Sequence, residues 1–141
     1  MELGLRGKTV VVTGGSKGIG LACAQAFLDE GARVAIVSRD RANLDAALKQ
    51  LRATDGAAVG IAADLVRADA AAEMASRAHA ALGPIDVLVN SAGAARRYLP
   101  EDLNAAAWHA AMDAKYFTYI RAMDALLPGM AARGAGAVVN I

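Results

Sequence analysis

The stretch Thr13-Gly14-Gly15-Ser16-Lys17-Gly18-Ile19-Gly20 decides the fold, because it joins an apolar run to an apolar helical pattern with room only for a tight turn. Glycine permits the positive φ angles and the close backbone approach that such a turn needs. A helix that begins at about Lys17 directs its free N–H groups and the positive end of its dipole into the turn, which favours a phosphate or pyrophosphate there. We therefore expect an anionic ligand at this turn.

The spacing of these glycines is Gly-x-x-x-Gly-x-Gly. It differs from the Gly-x-Gly-x-x-Gly dinucleotide fingerprint and from the phosphate loop that ends in Gly-Lys-Ser/Thr. On these residues alone, a glycine-rich connection without a ligand is an open alternative. The rest of the chain has to decide between the two.

Strand and helix patterns alternate along the whole chain. The run Thr9-Val10-Val11-Val12 is β-branched without polar alternation, which is typical of a strand buried on both faces of a parallel sheet. A helix that follows the second strand keeps its leucines on one face until Asp55-Gly56 ends it. Further strands are predicted over residues 33–37, 58–62, 85–89 and 137–141, and further helices over residues 17–30, 68–82 and 103–133. This order predicts an α/β fold of one domain over residues 1–141, a three-layer doubly wound parallel sheet of about five strands.

Composition places the chain among globular proteins. Of its 141 residues, 56% are hydrophobic and 21% are charged, which suits one domain built around a buried sheet. The formal net charge is +1, so we expect no long-range attraction to nucleic acid or to an anionic membrane. No apolar run reaches membrane-spanning length and residues 1–6 lack the pattern of a signal peptide, so a cytoplasmic location is expected.

The chain has one cysteine and two histidines, so we expect little metal or redox chemistry. Cys23 rules out an internal disulfide and a cysteine metal cluster, and its helical spacing from Ile19 and Phe27 predicts a core-facing residue rather than a nucleophile. His79 and His109 lie in helical patterns without partner ligands. Surface or half-buried roles are therefore expected for both, and no metal site.

Three short motifs stand at the predicted ends of the first, third and fourth strands. They are Thr13-Gly14-x-x-x-Gly18-x-Gly20, Asp64-Leu65 and Asn90-x-Ala92-Gly93. In this order and at these places they resemble the motifs of the short-chain dehydrogenase/reductase family, and the resemblance runs from about residue 7 to residue 141. It implies a Rossmann domain that binds NAD(P), in an enzyme that transfers hydride between the nicotinamide and a carbonyl or alcohol substrate.

The resemblance also implies where the cofactor lies. The pyrophosphate sits over the first turn, Asp64 meets the adenine amino group beside Leu65, and the segment Asn90-x-Ala92-Gly93 lines the ribose and nicotinamide side. Two alternatives stay open, namely a simple turn or cap for Asp64 and backbone bracing of the strand end for Asn90. The implied cofactor-binding residues are Gly14, Ser16, Lys17, Gly18, Ile19, Gly20, Ser38, Arg39, Asp64, Leu65, Asn90, Ala92 and Gly93.

The residues after the second strand bear on the choice between NAD and NADP. An acidic side chain there accepts hydrogen bonds from the ribose hydroxyls of NAD and repels a 2′-phosphate. This chain has Ser38-Arg39 instead, with Lys17 in the glycine turn opposite. Charge-assisted hydrogen bonds contribute roughly 1.5–3 kcal/mol each, so two cations favour the extra phosphate by more than tenfold. We therefore expect NADP rather than NAD, although Asp40 argues in the other direction.

The family's catalytic motif is missing from these 141 residues. In the family a tyrosine acts as acid or base beside a lysine four residues later, and a serine just after the fifth strand orients the substrate. The catalytic residues are therefore unknown and are expected beyond Ile141. Four places after the three tyrosines of this chain, Tyr98, Tyr116 and Tyr119, stand Asp102, Ile120 and Met123.

Three further features have open interpretations. Where the family often has an asparagine that supports a water in the proton relay, seven residues after a tryptophan, counting from Trp108 gives Lys115. Lys115 either modifies that relay or is a solvated or ribose-side lysine without a catalytic role. Arg96 and Arg97 either meet an acidic substrate or form a solvated loop pair. An apolar stripe on the long helix is either core or the surface that pairs in the family's dimers; it comprises Trp108, Met112, Tyr116, Met123 and Leu127.

Two functions fit the sequence. The first is the cofactor-binding portion of an NADP-dependent oxidoreductase, acting as a homodimer or homotetramer on a small-molecule carbonyl or alcohol. The second is a non-catalytic module that binds NADP or pairs with another chain. A different Rossmann-type enzyme such as a methyltransferase is disfavoured, because the glycine spacing and the Asn-x-Ala-Gly turn do not belong together there. We also expect the fifth strand to form an unfinished sheet edge that favours association.

Overall fold

The computed structural model describes residues 3–51, 57–94 and 96–141. Its centre is one sheet of five parallel strands in the order β3-β2-β1-β4-β5. Because the chain builds outward from β1 first to one side and then to the other, strand order reverses at the boundary between β1 and β4. The predicted doubly wound sheet is confirmed. The strands are β1 (Thr9–Thr13), β2 (Arg33–Ser38), β3 (Ala58–Ala62), β4 (Val87–Asn90) and β5 (Ala137–Asn140).

Helices cover both faces of the sheet and complete three layers. One core cluster lies between the sheet and α3 with α5, and the other lies between the sheet and α1 with α2. β1 serves both, because Val11 faces the first cluster while Val10 and Val12 face the second, all three fully buried. The helices are α1 (Gly18–Asp29), α2 (Arg41–Gln50), α3 (Ala70–Leu82), α4 (Ala105–Met112) and α5 (Thr118–Arg133), with a 3₁₀ turn over Pro100–Asp102 and a π-helical turn over Asp113–Phe117.

The helix α2 is shorter than the sequence pattern predicts. It ends at Gln50, and Leu51 already has an extended backbone with ψ of 124°. Leu51 is nevertheless buried, so the apolar spacing that predicts a longer helix continues after the helical backbone has ended. The predicted helix end at Asp55-Gly56 lies outside the described residues.

The predicted long helix over residues 103–133 is present but is not uniform. It begins at Ala105, where the side-chain oxygen of Asn104 accepts the N–H of Ala107 at 3.0 Å and caps the first turn. The π-helical turn then joins α4 to α5 and gives one turn a wider backbone. The fourth strand also differs slightly, since it is observed two residues later than the predicted start at residue 85.

The apolar stripe on this helix is mostly solvent-exposed. Trp108, Met112, Tyr116 and Leu127 are all exposed, Trp108 by 59%. Met123 is half-buried and packs against the core cluster of α3 and α5. The interpretation of the stripe as core is therefore wrong for every member except Met123.

Asp86 closes the amino-terminal edge of the sheet with a network of hydrogen bonds. Its Oδ2 accepts the N–H of Thr9 at 3.0 Å and lies 3.1 Å from the Thr9 hydroxyl, while its own N–H donates to the main-chain oxygen of Thr9 at 2.9 Å. Arg133 brings Nη2 to 3.9 Å from Oδ1 of Asp86. Burial by itself raises the pKa of Asp86, but the hydrogen bonds from Thr9 and the charges of Lys8 and Arg133 outweigh burial and lower that pKa overall.

Candidate functional site

A cleft of about 500 Å³ lies at the carboxyl-terminal edge of the sheet, where strand order reverses. Its walls are the turns after β1 and β4, the ends of β2 and β5, the segment after β3, and the π-helical turn. The structure brings most of the predicted cofactor-binding residues together here. The predicted residues that line the cleft are Gly14, Ser16, Lys17, Gly18, Ile19, Ser38, Arg39, Asp64, Leu65, Ala92 and Gly93.

Two glycines of the turn after β1 are required by close packing. Gly14 has φ of +66°, and a Cβ atom there would lie 2.7 Å from the main-chain oxygen of Ser91 and 2.8 Å from Cα of Ala92. Gly20 does not line the cleft; a Cβ atom on it would lie 2.4 Å from the main-chain oxygen of Gly14. Gly14 therefore lets the turns after β1 and β4 meet, and Gly20 lets α1 pack against the first turn.

The amino terminus of α1 opens into this cleft. Gly18 has φ of +54°, and nothing lies within 4 Å of the position its Cβ atom would take, which leaves open space beside the first N–H groups of the helix. The N-cap residue is Lys17, whose side chain has no acceptor and makes no capping hydrogen bond. Backbone donors at the positive end of a helix dipole are then available to a phosphate group. Gly18 and the first N–H groups of α1 thus form a cradle that fits a pyrophosphate.

Thr13 joins the two turns that form the floor of the cleft, and sequence reasoning did not single it out. Its buried hydroxyl oxygen accepts the N–H groups of Ser91 and Ala92, each at 3.2 Å. The same oxygen lies 3.4 Å from Oδ1 of Asn90. The end of β1 thereby fixes the backbone that leaves β4, and the position of Thr13 directly before the glycines is the signal that could have identified it.

Asn90 belongs to the sheet rather than to the cleft wall. It is fully buried, and its Nδ2 donates to Oδ1 of Asn140 on β5 at 2.9 Å. With Thr13 on the other side, Asn90 links the ends of three neighbouring strands through side chains. This geometry favours the alternative of backbone bracing for Asn90.

The end of β2 forms the cleft wall from which the sequence predicts the choice between NAD and NADP. The Ser16 hydroxyl donates to the Ser38 hydroxyl at 3.0 Å, which ties the glycine turn to β2. Arg39 is exposed and lines the cleft. Asp40 does not line the cleft; its carboxylate accepts the N–H of Asn43 at 2.8 Å and caps α2. The acidic residue that argued for NAD is therefore engaged in a helix cap.

The segment after β3 is fixed by one hydrogen bond within itself and by another from the opposite wall of the cleft. Oδ1 of Asp64 accepts the N–H of Val66 at 3.2 Å, so Asp64 forms a local turn while it also lines the cleft. The main-chain oxygen of Leu65 accepts Nη1 of Arg121 at 3.2 Å, and Nη2 of Arg121 donates to Asp113 at 3.0 Å. Arg121 thus connects this segment to the π-helical turn.

Lys115 lies on the π-helical turn and reaches into the cleft. Its Nζ donates to the Tyr119 hydroxyl and to the main-chain oxygen of Ile141, each at 2.9 Å. The Tyr119 hydroxyl donates to the same oxygen of Ile141 at 2.5 Å. A Cβ atom on Gly93 would lie 2.7 Å from Cδ of Lys115, so the lysine stem crosses the turn after β4 where that turn has no side chain.

Several cleft residues carry no sequence motif. Asn43 comes from α2, and Ala114 and Thr118 stand on either side of Lys115. Packing of helices on the sheet brings them in, so only Ser91, which stands inside the Asn90-x-Ala92 motif, had a local signal. The other unpredicted cleft residues are Val37, Ala63, Val66, Ala94 and Ile141.

The remaining candidates lie elsewhere. Arg96 and Arg97 are exposed and do not line the cleft. Nδ1 of His79 lies 3.1 Å from the main-chain oxygen of Gly83, and Cys23 is half-buried against the core of α1 and α2. Within residues 3–51, 57–94 and 96–141, no group of three His, Cys, Asp or Glu side chains could hold a metal ion.

None of the helices in the described part of the chain is both long enough and apolar enough to pass through a membrane.

The fold and the cleft define the class of the protein. It is a Rossmann-type α/β domain with the anion cradle at the point where strand order reverses. The family follows from comparison with known proteins. Residues 8–141 match the family described as short chain dehydrogenase, and the chain belongs to that family. Proteins of this family bind NAD(P).

Individual relatives agree with this assignment. The chain is 39% identical to a short chain dehydrogenase of Pseudocercospora fijiensis, over 97% of this chain and 45% of the relative. It is 40% identical to galactitol 2-dehydrogenase (L-tagatose-forming) of Cereibacter sphaeroides, over 97% of this chain and 53% of the relative. Among solved structures, L-sorbose reductase from Gluconobacter frateurii complexed with NADPH and L-sorbose is similar, with a TM-score of 0.88 and 29% identity over 99% of this chain and 54% of that one. The chain thus spans about half the length of the curated relatives it matches.

Proposed function

We propose that this chain is the cofactor-binding part of an NADP-dependent oxidoreductase that transfers hydride between the nicotinamide and a small-molecule carbonyl or alcohol. The observation that carries the proposal is the end of β2, where Arg39 lines the cleft next to Ser38 and near the Lys17 turn. A cation and a hydroxyl there complement a 2′-phosphate. The cap formed by Asp40 supports the choice, because its carboxylate is already paired with a backbone N–H.

The rest of the cleft accommodates a dinucleotide in the order that the family implies. The amino terminus of α1 holds the pyrophosphate through backbone donors, Asp64 and Leu65 flank the adenine, and Ala92 and Gly93 flank the nicotinamide ribose. Ile19 is 62% exposed at the cleft, an apolar surface that a bound ligand would cover. Bound there, the cofactor supplies or accepts a hydride at its nicotinamide ring.

No residue within residues 1–141 is assigned to proton transfer, because the family's serine and Tyr-x-x-x-Lys motif do not occur in them. Two similar proteins are named for reactions of a sugar alcohol and of a ketose, which supports a small hydroxyl or carbonyl compound as substrate. We further propose a cytoplasmic homodimer or homotetramer. The exposed apolar stripe around Trp108 is the surface that supports association.

Titration of the purified protein with NADPH and with NADH tests the proposal. We expect NADPH to bind at least tenfold more tightly, and Arg39→Ala to remove most of that preference by weakening NADPH binding about tenfold, because a charge-assisted hydrogen bond contributes roughly 1.5–3 kcal/mol. The affinity for NADH should change little.

Arg41→Ala is the matched control. Arg41 lies two residues further along, and its guanidinium forms an exposed ion pair with Asp45 at 3.2 Å, so its loss should leave both affinities unchanged. Equal binding of NADH and NADPH by the parent and by Arg39→Ala alike would remove the assignment of NADP. Absence of binding to either cofactor would remove the proposed function altogether.

A further inference from the structure

The end of β5 is held by two side chains of the helix that faces it. Nζ of Lys115 and the hydroxyl of Tyr119 both donate to the main-chain oxygen of Ile141, at 2.9 and 2.5 Å, and Nζ also donates to that hydroxyl at 2.9 Å. The two residues stand four apart, so the helix presents them side by side. Three atoms, one each from the π-helical turn, from α5 and from the residue after β5, therefore converge on one point of the cleft rim.

The two side chains of this cluster differ in their exposure to solvent. Lys115 is exposed and lines the cleft, whereas Tyr119 is buried. Among the described residues, no Asp or Glu side chain lies within ion-pair distance of Lys115. The two oxygens that accept from Nζ are a main-chain oxygen and a phenolic oxygen. One of its three N–H donors also has no partner in the described part of the chain.

The neighbouring backbone is arranged to make room for this lysine. The π-helical turn over Asp113–Phe117 places Lys115, and the stem of the lysine crosses Gly93, where a Cβ atom would lie 2.7 Å from Cδ. The Ile141 N–H donates to the main-chain oxygen of Asn90 at 3.0 Å, so the clamped residue also continues the ladder between β4 and β5. The cluster thus contacts the cleft wall beside the turn after β4.

We propose that Lys115 and Tyr119 form a positioning clamp, which holds the carboxyl end of β5 in place and sets a fixed positive charge on the nicotinamide side of the cleft. The clamp rests on the proposed function for the identity of the ligand, but its geometry does not. It acts through the backbone of Ile141 rather than through a proton transfer. Lys115 is accordingly a positioning residue in this proposal.

The first measurement is amide hydrogen exchange in the full-length natural protein without cofactor. Lys115→Met and Tyr119→Phe should each speed exchange of the Ile141 amide at least fivefold, because each removes one hydrogen bond that holds this residue. The Ala137 amide donates to the main-chain oxygen of Asp86 at the opposite end of β5 and should exchange as in the parent. Lys115→Arg keeps a long cationic donor and should restore at least half of the lost protection.

The second measurement separates the two halves of the cofactor. Lys115→Met should weaken binding of NADPH about fivefold while adenosine 2′,5′-bisphosphate, which lacks the nicotinamide half, binds within twofold of the parent. Lys49→Met and Tyr116→Phe are matched controls that remove an exposed lysine of α2 and an exposed phenol, and they should leave exchange and both affinities unchanged.

The outcomes distinguish this proposal from the proposed function. Unchanged exchange of the Ile141 amide in both variants overturns the clamp, as does an equal loss of affinity for NADPH and for the bisphosphate, which would indicate general loosening. If the parent binds neither ligand, the proposed function fails, and the exchange result alone then decides the clamp.

Discussion

The two ends of β1 are built for opposite purposes. At the amino-terminal end, Thr9 and Asp86 exchange hydrogen bonds through backbone and side chains, and Arg133 adds a nearby charge. At the carboxyl-terminal end, the chain leaves the sheet through glycines, and the first donors of α1 have no side-chain cap. One strand therefore carries a saturated end that stabilises the fold and an open end that can accept an anion.

The comparison teaches which end a substitution should affect. Groups at the saturated end have protein partners, so their loss lowers the free energy of unfolding and leaves ligand affinity intact. Groups at the open end line the proposed cofactor site, so their loss should lower affinity. Residues that link the open end to the sheet, such as Thr13, should affect both quantities.

Gly14→Ala should have the largest effect. We expect it to lower the free energy of unfolding by about 3 kcal/mol and to abolish NADPH binding, because the new Cβ atom meets the backbone of Ser91 and Ala92 at a positive φ. Gly134→Ala is the control, since Gly134 has nearly the same φ of +65° with nothing within 4 Å of the Cβ position. It should cost only about 1 kcal/mol, the strain of the left-handed backbone alone. Urea unfolding and titration measure both, and equal costs would show that strain rather than the close approach matters.

A pair of threonine substitutions on β1 should separate its two ends. Thr13→Val and Thr9→Val each remove one buried hydroxyl and should each lower the free energy of unfolding by about 2 kcal/mol, because buried partners lose a hydrogen bond. Only Thr13→Val should also weaken NADPH binding, by severalfold, since the N–H groups of Ser91 and Ala92 lose their acceptor. Calorimetric titration beside urea unfolding measures the pair, and a loss of affinity in Thr9→Val would contradict the separation of the two ends.

Asp86→Asn should make the saturated end weaker in a pH-dependent way. Because folding lowers the pKa of Asp86, the charged carboxylate stabilises the fold above its ordinary pKa of 3.8, and this stabilisation is lost as the pH falls through the lower folded value. The variant should therefore be less stable by about 1 kcal/mol at pH 7, with the difference disappearing toward pH 2. Urea midpoints measured between pH 2 and pH 7 test the sign; a difference that grows on acidification would refute it. NADPH affinity at pH 7 should not change.

Lys17→Met should have the smallest effect and only on binding. Lys17 is exposed beside the cradle, so water screens its charge, and we expect NADPH affinity to fall about threefold with no change in stability. The difference should shrink in 0.5 M salt. Lys49→Met, which removes another exposed lysine that does not line the cleft, is the control. A threefold loss that persists unchanged in high salt would show that Lys17 acts by packing rather than by charge.

Much of the fold could be predicted because the deciding signals are local. The β-branched run of β1 predicts a strand buried on both faces, and all five of its residues are buried. Glycine marks the end of α1, where Gly31 has φ of +80°. The parallel order followed from alternation of strands and helices, and the position of the cleft followed from the parallel order.

The errors have a common physical origin in contacts that are distant along the chain. Leu51 keeps the apolar spacing of a helix although its backbone is extended, because burial alone sets that spacing. The π-helical turn has no sequence pattern of its own, so the contact of Lys115 with Ile141, which lies 26 positions away, could not be predicted. In the sequence Thr13 stands only at the start of a motif, while its hydrogen bonds depend on residues that lie 78 and 79 positions away.

The central place of β1 in the sheet has a consequence for synthesis on the ribosome. Val10 on β1 pairs with Val87 on β4. The residues from 11 to 87 must therefore be synthesised before β1 has a neighbouring strand on both sides. At 5–20 residues per second, this wait lasts roughly 4–15 s, during which one side of the first strand exposes apolar surface and unpaired backbone groups. The turn after β1 is complete only when β4 docks, because Gly14 packs against the backbone of Ser91 and Ala92, which follow β4. A nascent chain therefore completes this turn in a single late step, and a ligand that binds there can stabilise the sheet only from that step onward.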